Sequence, residues 1–256
     1  MDAFRVDAHV KVLDESVVER AKACDLDAIV YAPHFTRLST IQERAEQYSD
    51  DSLLVIPARE VFTGDWRNRK HVLAMGLTEP VPDFITLEGA MAEFDRQGAT
   101  VLAPHPEFAT VSLEAHDIRA HANRIHGIEV YNAKNWPSHV ERARQLADEF
   151  SIPAVGSSYA HLSWTVGAGW TGFANTYDSV ADIIDAFREG HPRRVYRQQG
   201  FTHNLRCAIE FSHLLYENSW KKFDRIFLSG TDPTHPSHIA YQGRFDAVSV
   251  YSDDEP

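Results

Sequence analysis

The stretch that decides the fold of this chain is Ile56–Leu77, IPAREVFTGDWRNRKHVLAMGL. Two apolar runs flank a polar loop of roughly ten residues. That is too short for the helical crossover that joins parallel neighbours, so the chain is expected to reverse as in a hairpin. Glu60 closes the first run and His71 opens the second, and a reversal brings them to one rim. A third run, VLAPHP at Val101–Pro106, ends on His105. One carboxylate and two imidazoles suit a borderline divalent ion such as zinc or manganese.

On either side of this stretch, apolar runs alternate with helix-period segments. Phe4–Val10 reads as a strand, Glu15–Cys24 as a helix, Ala28–His34 as a strand and Thr40–Tyr48 as a polar helix. Beyond the reversal, a helix at Leu87–Gln97 leads to the strand Thr100–Ala103, and a helix at Leu113–Ile125 leads to Ile128–Asn132. Pro137 suits the first position of a helix running to Phe150, before the strand Pro153–Ser157. This rhythm predicts an α/β protein built on a mostly parallel barrel or open sheet. His9, His34, Glu60, His105 and His161 fall at or just past the C-terminal ends of separate strands, and Glu129 lies inside another. In such barrels that rim is where chemistry is built. Each histidine alone reads as a hydrogen-bonded rim or core residue, whereas the strand-end coincidences together read as a site.

After His161 the pattern loosens into a Gly- and Trp-rich loop with an edge strand, then a helix at Val180–Glu189. Arg193, Arg194 and Arg197 read either as a phosphate clamp or as cations beside a helix C-terminus. Phe201–Trp220 is expected to be an amphipathic helix packing its apolar positions 201, 205, 208, 209, 214 and 215 on the main body, with His203 and His213 solvated or capping. Asp232, His235 and His238 read as a Pro-rich surface loop rather than a metal site. The expected division is a barrel over residues 1–199 and a helical extension over 200–256.

The chain has 256 residues, with 25 basic against 37 acidic side chains and a net charge of −12. That balance argues against general nucleic-acid binding, which needs a positive footprint. Cys24 and Cys207 have no pairing pattern, as in a reducing compartment. MDAFRVDAHV lacks the regions of a signal peptide. No apolar run approaches the ~18 residues of a membrane span. A cytoplasmic protein is the expectation.

With these residues laid out, the chain resembles the polymerase and histidinol phosphatase (PHP) family over roughly residues 4–190. The resemblance rests on VDAHVKV, AIVYAPH, the AREV and HVLAMGL pair, APHP, GIEVYNA and GSSYAH in order. It implies a distorted (β/α)7 TIM-like barrel carrying divalent metals at its C-terminal rim and hydrolysing phosphate esters. The departures are equally specific. Lys11 stands where the family's opening motif has a second histidine, Pro33 precedes His34 where the family has aspartate, the loop after the first strand is shortened to LDES, and Tyr159 replaces the aspartate of the late motif. Lys11 and Tyr159 fall on one metal position, which the resemblance implies has lost its ion. Glu60, His71 and His105 keep a complete position, and His34 and His161 keep part of another.

The resemblance thus implies a divalent metal (zinc, manganese or iron) and a small phosphorylated substrate. His9, His34 and His161 are expected as ligands or as general acids. Glu129 is expected to orient a ligand histidine or to pair with Lys11. Lys11 either takes over the electrostatic role of the lost ion beside Glu60 or turns outward into solvent. The leading expectation is a metal-dependent phosphoesterase. The alternative is a non-catalytic PHP-like scaffold with an eroded site. A C–N hydrolase on a related barrel ranks last, because that chemistry usually keeps an intact His-x-His on the first strand.

Overall fold

The computed structural model describes residues 4–65, 68–108, 111–216 and 234–250. In chain order the elements are β1 (Phe4–Val10), α1 (Glu15–Ala23), β2 (Ala28–Tyr31), α2 (Leu38–Tyr48), β3 (Leu54–Thr63), β4 (Lys70–Met75), α3 (Leu87–Gln97), β5 (Thr100–Ala103), α4 (Ala115–Ala120), β6 (Gly127–Tyr131), α5 (Pro137–Phe150), β7 (Ala154–Gly156), β8 (Gly169–Phe173), α6 (Val180–Arg188), β9 (Arg193–Arg197) and α7 (Phe201–Tyr216). The strands form one sheet in the order β7-β6-β5-β4-β3-β2-β1-β8-β9. The sheet curls almost shut. β7 reaches β8 through Thr171, whose hydroxyl donates to Gly156 O at 3.0 Å and accepts from Gly156 N at 2.9 Å. At the rim, Val10 bridges Ala160 and the Lys11 N–H donates to Ala160 O at 2.8 Å. A Cβ on Gly156 would lie 2.6 Å from Val195 Cγ1 and 2.8 Å from Trp170 O, so the seam closes only around a residue with no side chain.

The distorted α/β barrel agrees with the expectation, but its strand directions are more mixed than the βα rhythm predicts. β1–β2, β2–β3, β5–β6 and β6–β7 are parallel, whereas β3–β4, β4–β5, β1–β8 and β8–β9 are antiparallel. The cause is local. The loop between β3 and β4 is too short for a crossover, and β8 and β9 are joined through α6, which packs into the barrel end instead of crossing back along its side. β4 therefore runs against its neighbours, and its first residues sit on the rim where theirs end.

Local signals set the helix ends. Asp14 accepts the Val17 N–H at the start of α1, Thr86 accepts the Gly89 N–H at the start of α3, and Gly98 ends α3 with φ 64°. α1 and α2 bury Val17, Ala21 and Ile41 against β1 and β2, while α3, α4 and α5 bury Phe94, Ile118 and Leu146 against β4 to β6. α6 plugs the end opposite the rim, packing Ile183, Ile184 and Phe187 among the interior residues Val6, Ile56, Leu73 and Leu102.

One irregularity of β1 shapes the mouth. Val6 and Ala8 pack in the interior cluster, whereas Val10 packs outside it. The register with β2 shifts between Asp7 and Val10, and such a shift exchanges which parity faces inward. His9 and Lys11 thereby turn into the barrel.

Of the two readings of the late arginines, Arg193 takes the second: from β9 it donates to Phe187 O in the last turn of α6 at 3.4 Å and to Ala154 O and His126 O at the strand starts, far from the rim. The expectation for α7 is overturned. On α7, Phe201, Leu205 and Ile209 face solvent, at 84%, 51% and 39% exposure, whereas His203 and Glu210 are buried. The helix lies over a polar mouth, so its polar side turns inward. His203 is accordingly not solvated, and its Nε2 lies 3.1 Å from the Tyr131 hydroxyl. Asp232 lies outside the described residues. His235 pairs with the Ser237 hydroxyl, and His238 faces Arg37 at 3.5 Å. Among the described residues, no helix is long and apolar enough to cross a membrane.

Candidate functional site

Glu60 is the centre of the mouth. It and Phe62 share a face of β3, and Phe62 pairs directly with His71 of β4, so Glu60 and His71 are diagonal neighbours on the inner surface. The carboxylate is fully buried. Its Oε1 is approached by His105 Nε2 at 3.1 Å, His71 Nδ1 at 3.3 Å and His9 Nε2 at 3.5 Å. Its Oε2 pairs with the Lys11 ammonium and lies 3.1 Å from His34 Nδ1. Lys11 also donates to Ala32 O at 2.7 Å, so it points inward and is not solvated.

In His9 and His105 an outer partner fixes which ring nitrogen carries the proton. His9 Nδ1 lies 3.2 Å from Glu129 Oε1, and an ionised carboxylate can only accept, so the proton is on Nδ1. The Ser112 hydroxyl donates its single hydrogen to Phe108 O at 2.6 Å. Its oxygen therefore accepts from His105 Nδ1 at 2.9 Å. In both rings the Nε2 lone pair then faces a Glu60 oxygen, two acceptors opposed across a short gap. Neither nitrogen of His71 has a hydrogen-bond partner, and the same holds for His9 Nε2 and His34 Nδ1. Buried polar atoms rarely go unpartnered. A cation among them would take one nitrogen of each ring, and imidazoles backed by a carboxylate or hydroxyl on the far nitrogen are the usual form of metal-ligating histidines. His34, Glu60 and His71 each offer a ligand atom within 4.8 Å of the others. The residues fit a divalent ion at this position, with His105 reaching the same carboxylate.

The electrostatics follow from burial and crowding. Burial alone would raise Glu60, but Lys11 and the imidazoles of His71, His34 and His9 outweigh it and hold the carboxyl well below its ordinary range. Burial drives Lys11 down against the attraction of Glu60. It also pushes His71 down to about 4, and burial with the nearby Lys11 takes His34 well below the usual histidine value. Glu129 sits at about 2, because His9, His105 and the Ser157 hydroxyl more than offset its burial. It also accepts the His105 N–H and Asn132 Nδ2, each at 2.8 Å, so one carboxylate orients two histidines and does not pair with Lys11.

His161 is held elsewhere in the mouth, away from Glu60. Its Nδ1 is in contact with the ammonium of Lys134, and its backbone N–H donates to Glu210 Oε1 of α7 at 2.7 Å. Tyr159 fills the middle, its ring centroid 4.5 Å from that of His9, 4.9 Å from His105 and 5.0 Å from His161, with Lys134 Nζ 3.8 Å above it. His105 and Tyr159 both take positive φ, 32° and 50°, a strain that bulky residues hold only where packing enforces it. Asp7 braces this segment by accepting the N–H groups of Ser158 and Gly167, and its burial raises it to about 6.

Sequence reasoning missed Lys134 and Glu210. Lys134 falls just past the end of β6, so the strand-end rule applied to lysine as well as histidine would have found it. Glu210 gave no signal, being one acid on a helix whose apolar row pointed the other way.

The fold and site together define a distorted α/β barrel with a Glu- and His-lined mouth. Residues 137–192 match the PHP-associated family model. The chain is similar in fold to PsfC from Pseudomonas syringae PB-5123, 19% identical at a TM-score of 0.61, over 86% of this chain and 99% of that one. It is similar also to an amidohydrolase from Chromobacterium violaceum solved with bound sulfate and no metal, 12% identical at a TM-score of 0.52, over 75% of this chain and 97% of that one. Uncharacterized protein MJ0417 of Methanocaldococcus jannaschii is 25% identical over 125 residues, 46% of this chain. The aligned part spans about half, 51%, of that relative's length.

Proposed function

We propose that the protein is a metal-dependent phosphoesterase acting on a small phosphate ester. The observation that carries this reading is the convergence on Glu60 of imidazole nitrogens whose outer partners leave their lone pairs facing inward. Glu60, His71 and either His34 or His105 would hold the ion. A bound divalent ion supplies a water acidified towards pKa ~7 and charge withdrawal from a phosphoryl oxygen. The chain's own residues supply the rest. Lys11 balances one oxygen of Glu60 and adds a second positive charge to the mouth where the family's further metal position is degenerate. Glu129 keeps the protons of His9 and orients the His105 backbone. Phe62, Phe35 and Phe84 form an aromatic wall beside His34 and His71, with ring separations of 4.7 and 5.9 Å from Phe35, and restrict water on that side.

The second reading, a non-catalytic PHP-like scaffold, rests on the Lys11–Glu60 contact, because a cation already occupies one carboxylate oxygen. Elemental analysis of protein purified without chelators separates the two, with a stoichiometric transition metal expected for the enzyme. Glu60→Gln should lose metal and hydrolysis of a phosphomonoester panel assayed with manganese and zinc. A variant that binds metal like the parent refutes the ligand assignment, and a parent that holds no metal and turns over nothing favours the scaffold.

A further inference from the structure

β2 stops at Tyr31, whose partner on β3 is Pro57, so the rim half of β3 continues without it. Residues 83–85 take up part of that edge. The Phe84 N–H donates to Phe62 O at 2.6 Å and the Gly64 N–H to Ile85 O at 2.8 Å. The Phe62 N–H goes to a side chain, Asp83 Oδ1, at 2.8 Å. Arg59 spans from this edge to the loop that follows β2. It alternates with Glu60 along β3 and so leaves the strand on the opposite face. Its Nη2 donates to Asp83 Oδ2 at 3.0 Å and its Nη1 to Thr36 O at 2.7 Å. Both charged side chains are fully buried. Asp83 is secured in turn from the C-terminal segment, accepting the Thr234 hydroxyl and donating its own N–H to Thr234 O at 2.8 Å.

Replacing a buried ion pair by apolar residues of similar volume is often neutral for stability, so the pair is informative for the geometry it imposes. A guanidinium is a rigid fork whose donors have fixed spacing. Here one arm holds the strand edge through Asp83 and the other holds the loop that carries His34. The Thr36 hydroxyl donates back to His34 O at 3.0 Å, which ties the gripped residue to the histidine. Arg59 and Glu60 are neighbours in the chain, so the fork sets the loop against the carboxylate that His34 Nδ1 faces at 3.1 Å. The His34 side chain is 23% exposed, whereas those of His9, His71 and His105 are at 4% or less. It is the least enclosed of the four and depends most on its loop for its place.

We propose that Arg59 is a positioning residue that, anchored by Asp83, fixes the loop of residues 32–37 so that His34 is presented to an ion held by Glu60 and His71. The metal part rests on reading those three residues as ligands, whereas the anchoring of the loop does not. On this account a side-chain fork replaces the strand pairing that β2 gives up before the rim, and the segment at Thr234 supports the site through Asp83.

The test compares the parent with the double substitution Arg59→Met and Asp83→Asn. Both charges go together, an amide oxygen remains for the Phe62 N–H, and the net charge is unchanged, so a change in metal affinity reports geometry and not charge. In the metal-free protein, hydrogen exchange at the amides of residues 34–37 should quicken by about tenfold or more, as expected when a bond to a charged group is lost, while the amides of β5 and β6 stay as in the parent. Manganese affinity measured by calorimetry should fall by about 10- to 100-fold, the usual range for loss of a group that supports a ligand. In a His34→Ala background the same double substitution should change manganese affinity by less than about threefold, because the ligand it acts through is gone. Arg59→Lys keeps the cation but offers one nitrogen to two acceptors. It should show both changes in smaller measure, and it decides the question where the double variant does not fold. Equal weakening with and without His34 would mean general damage to the barrel and overturns the proposal. Unchanged exchange at residues 34–37, or unchanged manganese affinity, also overturns it and leaves the ligand assignment standing. A parent that binds no manganese refutes the ligand assignment itself, and the proposal with it.

Discussion

Replacing Lys11 by methionine tests the charge balance on which the site is built. The side chain keeps nearly its length, so packing changes little, but the ammonium that pairs with Glu60 and donates to Ala32 O at 2.7 Å is gone. Glu60 is fully buried and cannot recover water. Removing one partner of a buried ion pair costs about 3–5 kcal/mol, because the remaining charge is left uncompensated. For a domain of this size about 2–4 °C follows from each kcal/mol, so melting should fall by roughly 6–20 °C at pH 7.5. The loss should shrink with falling pH. His34 and His71 face the carboxylate and are held down in part by the Lys11 charge, so once that charge is gone either takes a proton more readily and replaces it. A saturating divalent ion should restore part of the stability for the same reason. Thermal melts of metal-free parent and variant at pH 7.5 and pH 5.5, with and without manganese, measure all of this. A drop of less than 2 °C at both pH values would sink the reasoning, since it would mean that Lys11 does not compensate Glu60.

Acid should unfold the protein through Glu129 and Glu210. Both sit at about 2, below an ordinary value of 4.5, so the unfolded chain takes up protons first. Their contribution is therefore present above pH 4.5 and lost as pH falls towards 2, on the order of 3 kcal/mol for each. Asp7, raised from 3.8 to about 6, acts in the opposite sense and gives up stability as pH rises between those values. Urea titrations from pH 7 to pH 3, run on the parent and on Glu129→Gln, should show a shallower acid slope in the variant. At the barrel seam, Gly156→Ala places a methyl 2.6 Å from Val195 Cγ1 and 2.8 Å from a backbone oxygen. It should cost about 1–3 kcal/mol, read as a lower melting temperature, and an unchanged melt would mean that the seam is looser than described.

Where the helical periodicity is strong and capped, the chain tells its structure well. α3 at Leu87–Gln97 and α5 at Pro137–Phe150 match the expected bounds, because each combines a 3.6-residue apolar period with an N-terminal signal at Thr86 or Pro137. β2 stops at Tyr31, short of His34, and α4 covers only Ala115–Ala120. An apolar run or a helical period says which residues turn away from water, not how far the hydrogen-bonded ladder extends. α7 was misread for a related reason. Its apolar row is real, but which side of a helix faces inward depends on what it covers, and here it covers the polar mouth.

Local chemistry in the chain was enough to determine the α/β class, the reversal between β3 and β4, and the association of Glu60, His71 and His105 with one rim, because strand ends and short loops are written in neighbouring residues. The rest needed the assembled barrel. The inward turn of His9 and Lys11 comes from a register shift against β2, the tautomers of His9 and His105 come from Glu129 and Ser112, and Glu210 arrives from a helix that begins 70 residues after the end of β6 in the chain. A proton's place on an imidazole is decided by the atom facing the other nitrogen, and that atom belongs in every case to a different element of the fold.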